Sequence, residues 1–343
     1  MNVNESIVKL KDNLVDRDKA YALLTPFDGC VEEEFGGGQN LSFRPKEDDV
    51  VVLLKGSKEY SLEKPSLVKL SRLVGIPESY VEKIPVDLLF PHLSYWLKDK
   101  EVVVKGLLKG KDSDGRDRIC GFLKENAEYY PATNVLRQAD KIGTDYFLEG
   151  AEDISWRSGT FGLVFPKYEF DVSQEIGVND YIYGGVKIRL SMFGEQAFKI
   201  SAFLLTLICM NGMVSYKDIF TFNRHRATVG MDEFVYDGLN ASLSALSKQV
   251  DSVRTLKNIA LDSEHIVPYV EAMFDKIGIH QRTRVGVLEA IVSKSPKTMY
   301  ELMNAITAAA HTVENRNDVF NLQLLGGFVV DHAERCGSCH RPF

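Results

Sequence analysis

The sequence predicts an α+β protein: an antiparallel, β-rich central region with helices, followed by an all-helical C-terminal region. Three observations carry that reading. Strand-length runs of apolar or alternating residues concentrate between residues 101 and 230. From Asp232 onward, apolar residues recur at helical spacing. Strands and helices are segregated along the chain, whereas a doubly wound sheet would interleave them. The expected organisation is a mixed region of helices and a β-hairpin over 1–100, a β-rich centre over 101–230, a helical region over 231–334 and a Cys/His tail over 335–343.

In the first region, Ile7, Leu10, Leu14, Ala20 and Leu23 predict an amphipathic helix over 4–24. The acidic run Glu32-Glu33-Glu34 reads as a solvated surface, and Gly36-Gly37-Gly38 as a flexible break. Val50 to Lys55 predicts a strand that returns through Gly56-Ser57 into Glu59 to Leu62. Leu67, Leu70, Leu73 and Val74 share a helical face, Gly75 to Ser79 forms a turn, and Tyr80 to Ile84 restarts a helix. That helix–turn–helix outline suits a DNA reader. It equally suits two short packed helices, and Lys83 is the only base in the second of them.

In the centre, Val102 to Leu108 and Arg118 to Leu123 flank a polar hairpin loop. Asp112, Asp114 and Asp117 in and after that loop follow the first spacings of a calcium loop but lack its later bidentate Glu. Phe161 to Val172 and Asp180 to Phe193 predict two more strands. In the second, Ile182, Val186, Ile188 and Leu190 form one face, and Tyr181, Tyr183, Lys187 and Arg189 the other. An antiparallel sheet can leave one face in water, so the aromatic and basic face is either open or has Tyr181 and Tyr183 packed beneath another layer. The apolar run Ile200 to Val214 is about fifteen residues long, short of the ~20 that cross a membrane, and predicts a buried element. A long helical segment runs from Asp232 through Leu261, with Leu239, Leu243, Leu246 and Val250 recurring along it, and helical patterns follow at 264–277, 283–293, 297–311 and 318–334.

Composition supports a packed protein: 45% of residues are hydrophobic and 26% charged, which excludes a disordered or collagen-like chain. The net charge of −7, from 48 acidic and 41 basic residues, argues against a generic nucleic-acid coat. The charge is uneven, however. Residues 141–180 carry eight acids and three bases, whereas 181–230 carry six bases and two acids. The odd count of five cysteines and a charged N-terminus without an apolar core segment lead to the expectation of a reduced, cytoplasmic protein with no membrane association.

The sharpest local pattern is Cys336-Gly337-Ser338-Cys339-His340. Covalent haem attachment uses this spacing but normally needs export. As a zinc half-site, Cys336, Cys339 and His340 supply three ligands, with His332 as a candidate fourth; the plainer reading is a mobile tail with two exposed thiols. No other cofactor is implied, and dinucleotide, Walker, nucleophile-elbow and zinc-protease signatures are all absent from the sequence. Arg224, His225 and Arg226 form a basic cluster suited to phosphate. An enzyme would have to draw on Arg224, His225 and Asn304, among which there is no nucleophile with an orienting base.

Several short boxes occur together and in order. Ile208-Cys209-Met210-Asn211-Gly212-Met213 resembles a C-x-N-G-hydrophobic box that closes an apolar run, and Arg224-His225-Arg226-Ala227-Thr228 a basic segment after it. Thr298 to Thr307, TMYELMNAIT, resembles a T-x-x-[DE]-x-x-N-A-[VI]-T box, with His311 and Leu324-Leu325-Gly326-Gly327 beyond. Tyr129 to Asn134 resembles an upstream Y-x-x-x-x-N segment. Together, over residues 118–330, they resemble the phage/plasmid-like family catalogued as domain of unknown function number 932. The resemblance implies a gene of phages, prophages or plasmids acting in the bacterial cytoplasm, and brings no established activity or catalytic residue. The first hundred residues and the Cys/His tail lie outside it. In these boxes Asn211-Gly212 suits a tight turn, and Asn304 suits a structural organiser within a helix.

The functional expectation is a mobile-element protein that binds nucleic acid, of single-strand binding or annealing type, in DNA replication or recombination. Tyr181, Tyr183, Lys187, Arg189, Arg224, His225 and Arg226 would form its contact surface. The alternative is a non-enzymatic interaction protein that acts on a host or phage partner in counter-defence or takeover. Homo-oligomerisation through apolar helix faces is compatible with both.

Overall fold

The computed structural model describes residues 14–46, 50–99, 101–125, 127–150, 158–173, 181–191, 197–206, 211–222, 230–261, 266–313 and 316–335. It is an α+β protein with two six-stranded sheets in the N-terminal and central parts and a helical C-terminal part.

The first elements among the described residues are a two-residue strand β1 (Val15–Asp16) and helix α1 (Arg17–Leu24). Asp16 caps α1 by accepting from the Lys19 amide at 2.9 Å, as an N-terminal Asp should. Of the helix expected over 4–24, residues 14–24 are described: 17–24 are helical, whereas Val15 and Asp16 extend to pair with the later strand Phe147–Glu149 instead. The first sheet follows: β2 (Val31–Gly36), β3 (Leu41–Pro45), β4 (Val50–Lys55) and β5 (Lys58–Glu63). Gly56, at φ 63°, turns the β4–β5 hairpin. The chain then makes α2 (Lys64–Leu73), a single turn α3 (Glu78–Val81) and α4 (Val86–Leu97), and returns as the hairpin β6 (Val103–Lys111) and β7 (Asp117–Lys124).

The strand order is β2-β6-β7-β5-β4-β3. β7 pairs in parallel with β5, Leu62 opposite Ile119, and parallel neighbours need a long crossover, here supplied by α2 to β6. The division expected near residue 100 therefore falls inside the first sheet. The sequence shows the β6–β7 hairpin clearly but not which earlier strand it joins. Two polar features are held by the structure around them. Glu33 is held within the sheet: the Tyr60 hydroxyl donates to its Oε1 at 2.5 Å and Lys55 Nζ lies 3.0 Å away. Asp112 accepts from the amides of Asp114 and Arg116, so the polar loop closes on its own backbone.

Helix α5 (Ala132–Asp140) and β8 (Phe147–Glu149) lead into four longer strands: β9 (Ser158–Asp171), β10 (Tyr181–Ser191), β11 (Phe198–Thr206) and β12 (Asn211–Phe222). The second sheet is antiparallel throughout, in the order β1-β8-β9-β10-β11-β12. The single buried element expected at Ile200 to Val214 is thus parts of two strands. Asn211 and Gly212 are the first rungs of β12, opposite Thr206 and Leu205, rather than the turn itself; the connection 207–210 lies outside the described residues.

Among the described residues five helices follow: α6 (Met231–Leu256), α7 (Ile266–Ile277), α8 (Gln281–Ser293), α9 (Met299–Ala309) and α10 (Arg316–Arg335). α6 buries Val235, Leu239, Leu246, Val250 and Val253, an i, i+4, i+7 series, against the second sheet. It packs so closely that a Cβ at Gly184 of β10 would sit 2.6 Å from Leu246. Among the described residues, no helix is long and apolar enough to cross a membrane.

Three cores result. The largest lies beneath the C-terminal helices. A second lies between the first sheet and α2–α4. A small third core, on the opposite face of the second sheet, contains Tyr183, Phe203 and Val214 together with Phe320 and Leu324 of α10.

Candidate nucleic-acid interface

The alternation of β10 sorts its side chains as expected. Ile182, Val186, Ile188 and Leu190 enter the large core. The odd-numbered residues face the other way, toward the small third core.

That second face is covered rather than open, because α10 lies along β12 and places Phe320 and Leu324 over it. Tyr183 is 0% exposed, and its hydroxyl donates to Glu169 Oε2 at 2.7 Å, directly across the β9–β10 ladder. Lys187 is 4% exposed; its ammonium sits 2.5 Å from Glu149 Oε2 and 4.9 Å from the Phe203 ring centroid. The stacking and phosphate-pairing roles expected of these two are therefore corrected. A buried ring offers no face to a base, and a buried ammonium is already neutralised. Tyr181 is half-buried and packs against the same small core.

Farther along the strand the face opens. Arg189 is half-buried, with its guanidinium 5.4 Å from the Phe320 ring centroid. Lys199 of β11 lies directly opposite Arg189 in register. Burial pulls the Arg189 pKa down, and burial followed by the charge of Arg189 does the same to Lys199. Two half-buried cations thus share one end of the sheet on adjacent strands. The neighbouring rung of β12 pairs Thr221 with Lys199, and β12 ends one residue later at Phe222. Arg224, His225 and Arg226 lie outside the described residues.

Lys199 and Phe320 were missed in the sequence. Lys199 precedes a run without any charge, and that isolated cation at the start of a strand was the available signal. Phe320 is distant in sequence and carried none.

The other expected positions are separate from this end. Asn304 is half-buried on α9, where its carbonyl accepts from the Thr307 hydroxyl at 3.2 Å. His311 is exposed on the 3-10 turn that follows. Cys336, Cys339 and His340 lie outside the described residues. His332, considered as a fourth zinc ligand, is buried on α10 with Nδ1 3.0 Å from the Tyr269 hydroxyl and its ring stacked on Phe328. It is a core histidine. Among the described residues, no group of three or more His, Cys, Asp or Glu is placed to hold a metal ion.

No protein-family model, curated protein or solved structure matches the chain.

Proposed function

We propose that this chain binds single-stranded nucleic acid for mobile-element replication or recombination in the bacterial cytoplasm, through the end of the second sheet marked by Arg189 and Lys199. The observation that carries the reading is the cross-strand pairing of these two cations. The two side chains lie on adjacent strands at one end of this face, where each can meet a phosphate oxygen of the same nucleic-acid strand. The Arg189 guanidinium lies 5.4 Å from the Phe320 ring centroid, a contact that adds to its placement there. The basic balance of residues 181–230 within an acidic chain supports the same placement. Because Tyr183 and Lys187 are internal, the contact is expected to be a phosphate clamp rather than a row of stacked bases.

The test is titration of a fluorescent, unstructured oligonucleotide at several salt concentrations. Arg189→Ala and Lys199→Ala should each weaken binding, and each should flatten the dependence of log K on log salt by about 0.7, the slope for one lost single-strand phosphate contact. Absence of binding at low salt, or variants that keep both affinity and slope, would sink the reading.

A further inference from the structure

Helix α4 faces two ways. Leu89, Phe90, Leu93 and Leu97 are buried in the second core, where Phe90 meets Phe43 at a centroid distance of 5.8 Å. On the outer face Leu88 is 52% exposed, Tyr95 72% and Trp96 45%. His92, also exposed, lies between them in the stripe. The Tyr80 ring from α3 stacks on His92, nearly parallel at 5°, and the rings of Tyr95 and Trp96 meet edge to face. Large aromatics clustered on the outside of a helix are typical of interface centres and unusual on a surface that stays in water.

The charges around the stripe indicate what covers it. Asp87 stands in the first turn of α4 and Lys98 at its C-terminal cap. Both are exposed, and neither makes an ion pair among the described residues. At 100° per residue they fall about three turns apart on the same flank of the helix, beside the aromatic stripe. When two identical helices pack antiparallel about a two-fold axis, same flank meets same flank and the start of one meets the end of the other. Asp87 of each copy then faces Lys98 of the other. The midpoint of this charge pair and the midpoint of the Leu88-to-Tyr95 stripe both fall at His92 or next to it. Apolar and charged patterns therefore share one two-fold centre.

We infer that α4 is the homodimerisation helix of this protein, packing antiparallel on α4 of a second copy across the Leu88, His92, Tyr95 and Trp96 stripe, with Asp87–Lys98 ion pairs at both ends. The inference is independent of the nucleic-acid reading, since the stripe belongs to the first sheet's helical layer and Arg189 and Lys199 to the second sheet.

Sedimentation velocity of the full chain over a concentration series tests it. The unmodified chain should show a monomer–dimer equilibrium. Tyr95→Glu should weaken the dimer by about thirtyfold or more, as loss of a central aromatic does. Its side chain is exposed, so an unchanged circular dichroism spectrum and melting temperature should accompany the loss. Asp87→Lys and Lys98→Asp should each weaken association by repulsion, and the double variant should restore it. A chain that stays monomeric at every concentration overturns the inference and leaves the face to a different partner. A dimer indifferent to Tyr95→Glu, or a double variant that does not recover, overturns it as well.

Discussion

Lys187 shows how a residue that reads as a ligand contact can be a core component. Its position on the basic face of β10 is as the alternation predicts, yet its ammonium is spent on Glu149 and on the Phe203 ring. The pair is desolvated at considerable cost, and removing one member leaves the other charge stranded. Lys187→Ala should therefore lower stability by about 3 kcal/mol, read as a shift of the urea midpoint. Lys187→Met with Glu149→Leu should recover most of that loss, because an apolar pair of similar volume incurs no desolvation penalty. If Lys187→Ala is neutral, the ion pair contributes nothing to the small core. Faces were legible from the period of two in residues 181–190; burial was not, because Phe320 and Leu324 arrive from over a hundred residues away.

At the scale of elements, α1 is held to α5 by a single carboxylate. Arg17 donates twice to Asp140, from Nε to Oδ1 at 2.7 Å and from Nη2 to Oδ2 at 2.9 Å, and the hydroxyls of Tyr21 and Tyr146 donate at 2.8 and 3.1 Å. These donors, Arg17 first, hold the Asp140 carboxyl below the ordinary range against the opposing effect of burial. A carboxyl with a depressed folded-state pKa stabilises the fold above its unfolded value of about 3.9, and that contribution is lost as pH falls through the folded value. Asp140→Asn should thus cost about 1 kcal/mol near neutral pH, a modest figure because Arg17 is half exposed. The gap to the unmodified protein should close in melts below about pH 4. A gap that persists in acid would show that the amide disturbs packing rather than charge. Helices were the most legible elements: α6 to α10 lie close to their expected spans, since each carries a clear 3.6-residue period over ten or more residues. The short strands β1, β2, β3 and β8 were not read, because few residues leave no period to detect.

For the whole molecule, the first sheet acts as a wall between cores. Val104, Ile119 and Phe122 face the second core, whereas Leu107 and Leu123 enter the large one. Leu70→Ala, at a fully buried site in the second core, should cost about 2–5 kcal/mol. In hydrogen exchange it should speed the amides of residues 31–124 well before those of α6 and α9. Uniform acceleration across the chain would show instead that the shared wall makes both halves one cooperative unit. The fold class was legible at this scale because segregation of strands from helices is a property of the linear chain. Partition into sheets was not, because pairing of β7 with β5 and of β1 with β8 depends on contacts distant in sequence.

One contact gives this architecture a particular character. The Thr133 hydroxyl donates to Asp28 at 2.6 Å, so the chain leaves α1 and re-enters α5 at the same spot. Everything between, the first sheet with its helices, leaves and returns through one doorway and is seated on the large core by Leu107 and Leu123. β1 and α1 belong to the second sheet's body, although that whole segment separates them from it in sequence. Such a layout lets the outer strands and helices of the intervening hundred or so residues be lengthened or exchanged without rerouting the rest, as long as the Leu107 and Leu123 seat is kept, so the two halves can diverge at different rates within one gene.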